Sequence, residues 1–394
     1  MRHQTVLAAS ALTLLAAMPA LAQGDFRACL AGLQQSAAAA GVSAETFGAA
    51  TRGITFDEKV IESSQNQPEF KTPIWDYMAA LVDEERVDDG RAAMRQWGSA
   101  LSQAEARYGV DRYTIAAVWG VESNFGKNLG GKPLIQSLAT LVCGGNRRAA
   151  YFKGELIATL KIVERGDIEA SRLNGSWAGA FGHTQFMPTT YQRLAVDLDG
   201  DGRRDIVDSV PDALGSTANF LSKAGWHSGS PWGYEVRLPE SFHAAAAGRR
   251  NKKPVAHWTS LGVRKVDGSA LTGEGAAGIM IPAGVDGPAF LVTKNFDALY
   301  SYNAAESYGL AIAVLSDRLR GRAGVRTAWP TDDPPLSRAE RRTLMSALIS
   351  RGYDVGEPDG RIGQKTRDAI KDVERRLGMP PTGRPGGKVL QALR

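Results

Sequence analysis

The sequence has few of the residues from which common metal and nucleophile sites are built. Its 394 residues include two cysteines and five histidines. The histidines are scattered, with no HExxH motif and no zinc-binding spacing. No serine and histidine have the arrangement of a hydrolase, and no Gly-rich loop has the pattern of a phosphate site. These absences argue against zinc enzymes, serine hydrolases and nucleotide-dependent enzymes.

The two cysteines are Cys29 and Cys143. In an oxidising compartment an even number of cysteines favours a disulfide, here between the N-terminal segment and the loop after Leu141. The alternative is a pair of buried free thiols, and only the geometry distinguishes the two.

The first 22 residues have the features of a secretory signal peptide. Arg2 and His3 form a short positive region, residues 6–17 form an apolar run, and residues 20–22 form a small-residue cleavage site. The run is too short to remain as a transmembrane anchor, and no cysteine follows it to carry a lipid. We therefore expect a periplasmic protein that begins near Gln23 and has no stable membrane anchor.

Charge is concentrated at the C-terminus. The whole chain has a net charge of +5, whereas residues 337–394 alone contain 13 basic and 7 acidic residues. A basic tail suits an anionic polymer. Export, together with the lack of aromatic-rich basic stripes, argues against a nucleic-acid partner.

The pattern of apolar residues predicts a mainly α (α+β) protein. Residues 25 to about 240 have helical spacing, as in Met94, Trp97 and Leu101. Residues from about 254 to 297 are rich in glycine and valine and contain two strand-like runs, so we expect a small β insertion there.

Two further segments follow. Residues 322–335 have the composition of a linker, and residues 336–394 form a compact helical module. The predicted organisation is a signal peptide over 1–22, a main domain over 23–321, the linker, and the C-terminal module.

Glu122 occupies a position where helical spacing calls for an apolar residue. Asp111 is a suitable N-cap, Gly126 closes the helix, and Ile115 and Val118 belong to the apolar stripe that Glu122 continues. A carboxyl that faces an apolar interior has a raised pKa, as a general acid requires. By spacing alone, a helix-end glutamate that turns into solvent is the simpler interpretation.

Residues 197–208 fit a twelve-residue calcium loop. Gly202 is at the position of the sharp turn, Arg203 supplies a backbone carbonyl, and the last position is aspartate in place of the usual glutamate. The alternative is an acidic surface turn without an ion. The predicted carboxylate ligands are Asp197, Asp199, Asp201, Asp205 and Asp208.

Two other segments have the residue types of a sugar site. Residues 175–188 are rich in glycine, and Gln185 offers an amide there, with Phe186 and Met187 as apolar walls. Residues 300–308 contain several tyrosines and an asparagine, which stack on sugar rings and bond hydroxyl and acetamido groups. The alternatives are a tight helix contact and ordinary interface tyrosines.

Three elements, taken in order, resemble the membrane-bound lytic murein transglycosylase B family: residues 121–126, residues 178–188 and the calcium loop. The resemblance covers about residues 25–325. It implies a lysozyme-like helical catalytic core with a small β part and one structural calcium, and no catalytic cofactor. His183-Thr184 departs from the family, which often has Tyr-Gly before the glutamine.

The resemblance also implies roles for individual residues. The catalytic glutamate of the family falls on Glu122. The substrate-binding residues fall on Ser176, Gln185, Tyr77, Arg147, Arg148, Tyr302, Asn303 and Tyr308.

The C-terminal residues resemble the common three-helix peptidoglycan-binding module. The usual Phe-Gln of its last helix is replaced by Val373-Glu374. The residues that carry the resemblance are Leu344, Leu348, Gly352, Tyr353, Asp359, Gly360, Gly363, Thr366, Ala369, Ile370 and Gly383.

These resemblances imply a lytic transglycosylase that acts on peptidoglycan glycan strands, with other cell-wall enzymes as further partners. Glu122 would cleave the MurNAc–GlcNAc β-1,4 bond without water, first as acid and then as base, and leave 1,6-anhydro-MurNAc ends. Two alternatives stay open at this point, a hydrolytic muramidase and a non-catalytic wall-binding scaffold.

Overall fold

The computed structural model describes residues 18–65 and 72–394, with side chains from residue 25 onward. Helices predominate and the strands are short, which confirms the mainly α class with a small β part. Within the described ranges, no helix has both the length and the apolar character needed to cross a membrane. The predicted signal peptide falls mainly outside the described residues.

The helices are α1 (Met18–Ala39), α2 (Ala44–Ala50), α3 (Glu58–Gln65), α4 (Ile74–Leu81), α5 (Glu84–Gln96), α6 (Gly98–Tyr108), α7 (Arg112–Ser123), α8 (Leu134–Cys143), α9 (Ala149–Glu164), α10 (Pro188–Leu194), α11 (Val210–Lys223), α12 (Val255–Ser260), α13 (Lys294–Asn303), α14 (Glu306–Leu319), α15 (Arg338–Ile349), α16 (Gln364–Arg376) and α17 (Gly387–Ala392). The strands are β1 (Lys132–Pro133), β2 (Asn174–Gly175), β3 (Gly233–Arg237), β4 (Lys253–Pro254), β5 (Arg264–Lys265), β6 (Ala276–Met280) and β7 (Ala289–Val292).

The chain divides into two compact units, each discontinuous in sequence. Of the described residues, the first unit contains 18–65, 129–181 and 186–193. The second contains 72–128, 182–185 and 194–394, and so includes the C-terminal module.

The first unit is built around the antiparallel pair α8 and α9, against which α1 also packs. A disulfide joins Cys29 on α1 to Cys143 at the end of α8, with the two Cα atoms 5.9 Å apart. The predicted bridge is therefore confirmed. The buried carboxylate of Glu155 accepts hydrogen bonds from the backbone and hydroxyl of Thr189, at 2.9 and 2.8 Å, and so anchors the start of α10.

The second unit is organised around α7. Every residue from Thr114 to Gly120 is buried, because α5, α6, α11 and α14 all pack against this helix. The side chain of Asp111 accepts from the backbone of Thr114 and caps the helix start, as predicted. The helix ends at Asn124, which has a left-handed φ of 50°, rather than at Gly126.

The β part of the second unit is one five-stranded sheet, in the order β4-β6-β7-β3-β5, and each neighbouring pair is antiparallel. Strands β6 and β7 correspond to the two strand-like runs of the sequence. Strand β3 lies before the predicted insertion, so the expectation of helix up to about residue 240 was wrong there. The polar-apolar alternation of β3 is too short to predict a strand from the sequence. The strand is defined by its pairing with β7, in which Val236 lies opposite Ala289.

The C-terminal module has three helices and its own apolar core, which confirms the helical module predicted from the sequence. Leu344, Leu348 and Ile370 are fully buried in that core. Glu374, which replaces a glutamine of the usual motif, is 4% exposed. Its carboxylate accepts from the hydroxyl of Thr382 and the backbone of Gly383, both at 2.7 Å, and so fixes the loop before α17.

The predicted linker contains no helix or strand, but it is held at both ends. Near its start, the backbone N–H groups of Arg326 and Thr327 donate to Glu235, both at 2.8 Å. Near its end, Asp333 accepts from the backbone of Lys388 at 2.7 Å. The segment therefore attaches the module to the sheet rather than acting as a free spacer.

We expect the double variant Cys29→Ser/Cys143→Ser to be less stable than the oxidised protein by about 2–5 kcal/mol. The bridge joins positions 114 residues apart and so restricts the unfolded chain. Urea unfolding with and without reductant measures the difference. Reductant should destabilise the wild type and leave the variant unchanged. Equal stability of the variant and the oxidised wild type would contradict this prediction.

Candidate active site

Glu122 lies in the last turn of α7, a helix of the second unit whose residues from Thr114 to Gly120 are all buried. It is itself partly buried. Its Oε1 accepts a hydrogen bond from the hydroxyl of Tyr308, which is on α14 and only 3% exposed. The packing of α14 against α7 therefore brings together two groups that are 186 positions apart in the sequence.

Burial raises the pKa of Glu122 from 4.5 to about 8, and the hydrogen bond from Tyr308 acts in the opposite direction. Desolvation is the larger effect, and the Tyr308 hydrogen bond offsets only part of the cost of the anion. Burial and the charge of Glu122 also raise the pKa of Tyr308 well above its ordinary value, so this hydroxyl stays a donor. At neutral pH Glu122 carries a proton, as a general acid must.

The turn after α7 fixes the direction of Glu122. Asn124, Phe125 and Gly126 have φ values of 50°, 57° and 82°. A Cβ atom at Gly126 would lie 2.3 Å from the ring of His183, so only glycine fits there.

His183, the departure from the family motif, is part of this support. Its Nδ1 accepts from the indole of Trp119 at 3.0 Å, and its carbonyl accepts from the hydroxyl of Ser123 at 2.9 Å. Burial lowers the pKa of His183. The ring is therefore neutral and braces the end of α7.

Tyr302, on α13, lies beside Tyr308. The two rings stack with centroids 6.1 Å apart, and the Tyr302 hydroxyl donates to the carbonyl of Thr184 at 2.9 Å. The next residue, Gln185, has a left-handed φ of 50°, and its amide donates to the carbonyl of Gly182 at 2.9 Å. Through the bond from Tyr302 to Thr184, residues 182–185 are held near Glu122 in the second unit.

Glu122 opens into a cavity of about 670 Å³ within the second unit. Three of the residues predicted to bind substrate, Tyr77, Asn303 and Tyr308, line the same cavity. This volume is in the range of ligand-binding clefts.

A second carboxylate, Asp76, also lines the cavity, and sequence reasoning did not identify it. It is 3% exposed, and each of its oxygens accepts a hydrogen bond from the guanidinium of Arg384 at 2.7 Å. A carboxylate held in such a pair is a poor nucleophile and a poor base, because both functions need a free oxygen. The two residues are 308 positions apart, so no local pattern signals the pair.

The remaining predicted substrate residues belong to the first unit. Arg147 and Arg148 are exposed and line a cavity of about 720 Å³, and the guanidinium of Arg148 lies 4.2 Å from the ring centroid of Tyr151. Ser176 lies in the tight turn before Ala180, whose backbone donates to the serine hydroxyl at 3.0 Å.

The apolar walls of that cavity differ from the expectation in one respect. Phe186 is 2% exposed and belongs to the core of the first unit. Met187, together with Trp177, lines the cavity instead.

The acidic loop at 197–208 brings a smaller set of carboxylates together than its spacing predicts. Asp197, Asp199 and Asp212 each present an oxygen within 4.8 Å of the others. Asp212 lies on α11, outside the twelve-residue loop. Its fully buried carboxylate accepts from the backbones of Leu198 and Asp205 at 2.7 and 2.8 Å.

The other predicted ligands of the loop have different partners in the structure. Asp201 accepts from the backbone and side chain of Arg203. Asp205 is buried, and its carboxylate accepts from the backbones of Val207 and Asp208 at 2.9 and 2.8 Å. Asp208 is exposed.

The helical fold with its small sheet matches lysozyme-like lytic transglycosylase structures. Residues 25–317 match the Transglycosylase SLT domain family, and residues 337–393 match the Putative peptidoglycan binding domain. The chain belongs to the Transglycosylase SLT domain family and carries a peptidoglycan-binding domain.

Three relatives indicate the range of the similarity. SltB3 of Pseudomonas aeruginosa, solved with NAG-anhNAM-pentapeptide, is 44% identical; the match covers 94% of this chain and 99% of that one, with a TM-score of 0.76. Slt35 of Escherichia coli, solved with calcium, is 25% identical over 76% of this chain and 93% of that one, with a TM-score of 0.65.

The third relative is the membrane-bound lytic murein transglycosylase B of Escherichia coli. It is 34% identical over 203 residues, which are 48% of this chain and 56% of the relative. The chain thus spans little more than half the length of this curated relative.

Replacing Glu122 with glutamine should stabilise the protein in a pH-dependent manner. The folded-state pKa of about 8 lies above the ordinary 4.5, so the stability from the neutral carboxyl is complete below about 4.5 and lost as pH rises through about 8. We expect the melting temperature of Glu122→Gln to exceed that of the wild type by several degrees at pH 9 and by little at pH 4.5.

The matched control is Glu274→Gln, at an exposed glutamate of the same unit. It should change the melting temperature equally at both pH values. A pH-independent difference for Glu122→Gln would contradict a raised pKa of Glu122.

Proposed function

We propose that this chain is a lytic transglycosylase that cleaves the MurNAc–GlcNAc β-1,4 bond of peptidoglycan without water and leaves 1,6-anhydro-MurNAc ends. The observation that carries the proposal is that one cavity contains two carboxyl groups, of which one is protonated and the other is bound by an arginine. Glu122 holds a proton up to about pH 8, whereas Asp76 is tied to Arg384. One carboxyl is therefore available for chemistry.

In the first step Glu122 donates its proton to the glycosidic oxygen, and the bond from that oxygen to C1 of MurNAc breaks. The Glu122 carboxylate that results is stabilised by the hydroxyl of Tyr308, whose hydrogen bond favours the anion. The sugar's own acetamido group is expected to hold the electron-poor C1 centre.

In the second step the Glu122 carboxylate takes the proton of the C6 hydroxyl, and the C6 oxygen bonds to C1. Glu122 is protonated again at the end, so the cycle needs no water and no second acid. Most glycosidases instead use two free carboxylates, one on each side of the bond. The engagement of Asp76 by Arg384 supports the single-carboxyl scheme over that arrangement.

The relatives support the same substrate class. SltB3 of Pseudomonas aeruginosa was solved with fragments that contain NAM or its anhydro form and a pentapeptide. The C-terminal match to a peptidoglycan-binding domain points to the same polymer.

Two independent features support a periplasmic location. The first 22 residues have the pattern of a signal peptide. The disulfide between Cys29 and Cys143 requires an oxidising compartment to persist.

We further propose that the acidic loop binds a structural calcium ion. Three carboxylate oxygens, from Asp197, Asp199 and Asp212, lie within 4.8 Å of one another, and like charges this close repel without a cation. Hard oxygen ligands suit calcium. The backbone carbonyl of Arg203 and the carboxylates of Asp201, Asp205 and Asp208 remain ligands predicted from the loop spacing alone.

The variant Glu122→Gln should fold and yet release anhydro-muropeptides from sacculi at least about 100-fold more slowly than the wild type, because it cannot donate a proton. Mass spectrometry of the digest measures the products, and Glu274→Gln serves as the matched control. Turnover of Glu122→Gln at the wild-type rate would refute the assignment.

The same digest separates the alternative functions. A muramidase would leave reducing ends one water heavier than the anhydro ends. A wall-binding scaffold would bind sacculi and release no soluble product, even as the wild type.

Calcium should raise the melting temperature over that in a chelator, by the equivalent of about 2.7 kcal/mol when free calcium exceeds the Kd about 100-fold. Asp197→Asn should weaken this response, whereas Asp286→Asn, at an exposed aspartate outside the loop, should retain it. An identical melting curve of the wild type with calcium and with chelator would leave the loop as a surface turn.

A further inference from the structure

The cavity that contains Glu122 is walled in part by the C-terminal module. Glu122 and Tyr308 contribute from the helical core, whereas Arg341, Arg367 and Arg384 contribute from the module. All of these residues belong to the second compact unit. Side chains of the module can therefore contact a ligand that is bound in the cavity beside Glu122.

The three arginines differ in their partners. Arg384 is neutralised by Asp76 and also pairs with Asp333. Arg341 donates to two backbone carbonyls, those of Leu336 at 3.1 Å and Asp76 at 2.9 Å, neither of which carries a formal charge.

Arg367, on α16, is half-buried. Within the part of the chain that the structure describes, no carboxylate forms an ion pair with its guanidinium. Its positive charge acts on Arg341: burial lowers the pKa of Arg341, the charges of Asp76 and Asp83 act in the opposite direction, and the nearby charge of Arg367 adds to the lowering.

The charges on the cavity wall therefore do not balance. Asp76 offsets Arg384, and Glu122 is neutral below about pH 8. Among the described residues no carboxylate forms an ion pair with Arg341 or Arg367, although the carboxylates of Asp76 and Asp83 act on Arg341 without direct contact. Both guanidinium groups lie in a partly enclosed space, where charges are screened less than at an open surface. Such a pair favours an anionic ligand with two acceptor oxygens, because guanidinium groups bind carboxylates through paired hydrogen bonds.

We propose that Arg341 and Arg367 bind a carboxylate of the peptide stem carried by the glycan strand that Glu122 cleaves. This inference rests on the proposed function, since it takes peptidoglycan as the substrate. The muramyl sugar bears the stem beside the scissile bond, so a stem carboxylate can enter the same cavity as the sugar. The C-terminal module then selects stem-bearing strands at the active site rather than only retaining the enzyme on the wall.

The test uses the full-length protein and one synthetic glycan oligomer in two forms. Both forms carry pentapeptide stems, with free carboxylates in one and primary amides in the other. The wild type should have the higher kcat/KM on the carboxylate form. Arg367→Gln should lose about tenfold on the carboxylate form, as expected for one charged hydrogen bond, and clearly less on the amide form.

Arg375→Gln is the matched control, because Arg375 lies exposed on the same helix and does not line the cavity. It should keep the wild-type preference for carboxylates. Arg341→Met is the second variant, with circular dichroism as a check on folding, since Arg341 also bonds the backbone.

Equal losses of Arg367→Gln on both substrates would overturn the proposal, as would a wild type without preference between them. These results differ from failure of the proposed function, in which the wild type would form anhydro products from neither substrate. A drop that appears mainly in KM and only on the carboxylate form identifies Arg367 as a binding residue.

Discussion

The protonated state of Glu122 is the constraint on which the rest of the site depends. It requires a carboxyl whose anion is disfavoured by burial, and α7 supplies this position because four helices, α5, α6, α11 and α14, pack against it. In the proposed mechanism the same carboxyl becomes an anion once the proton has left. The hydroxyl of Tyr308 would stabilise that anion, since it already donates to Glu122 and its own proton is held by burial. Burial and one hydrogen bond would thus serve opposite halves of the proposed cycle.

The second constraint concerns Asp76. A free carboxylate in the same cavity would offer a nucleophile or a base and would permit two-carboxylate chemistry. Arg384 removes that option by binding both oxygens of Asp76. Arg384 comes from the C-terminal module, so a segment that resembles a simple wall-binding domain also determines which groups are free in front of Glu122. The position of the module therefore affects which carboxylates are free in the cavity of Glu122.

The sequence predicted those features that depend on neighbouring residues in the chain. It did not predict the features that depend on contacts between distant residues. Helical spacing and the Asp111 cap predicted α7. Glu122 was singled out because it is an acidic residue at a position on the apolar face of that helix. The partner of Glu122, the Asp76–Arg384 pair and the part of Asp212 in the acidic cluster all depend on residues that tertiary packing brings together. Strand β3 was missed for the same reason, since its pairing with β7 defines it more than its composition does.

The basic balance of the tail acquires a different meaning from these contacts. A net positive module could attract an anionic polymer as a diffuse charge. However, Arg338, Arg342 and Arg384 are engaged with Asp83, Glu85 and Asp76 of the helical core, and the linker is fixed at both ends. Several of the module's charges are therefore used to hold it in place, and exposed pairs such as Arg342 with Glu85 add little stability individually. What such contacts provide is a defined position, and a positioned arginine can recognise one carboxylate, whereas a diffuse charge cannot.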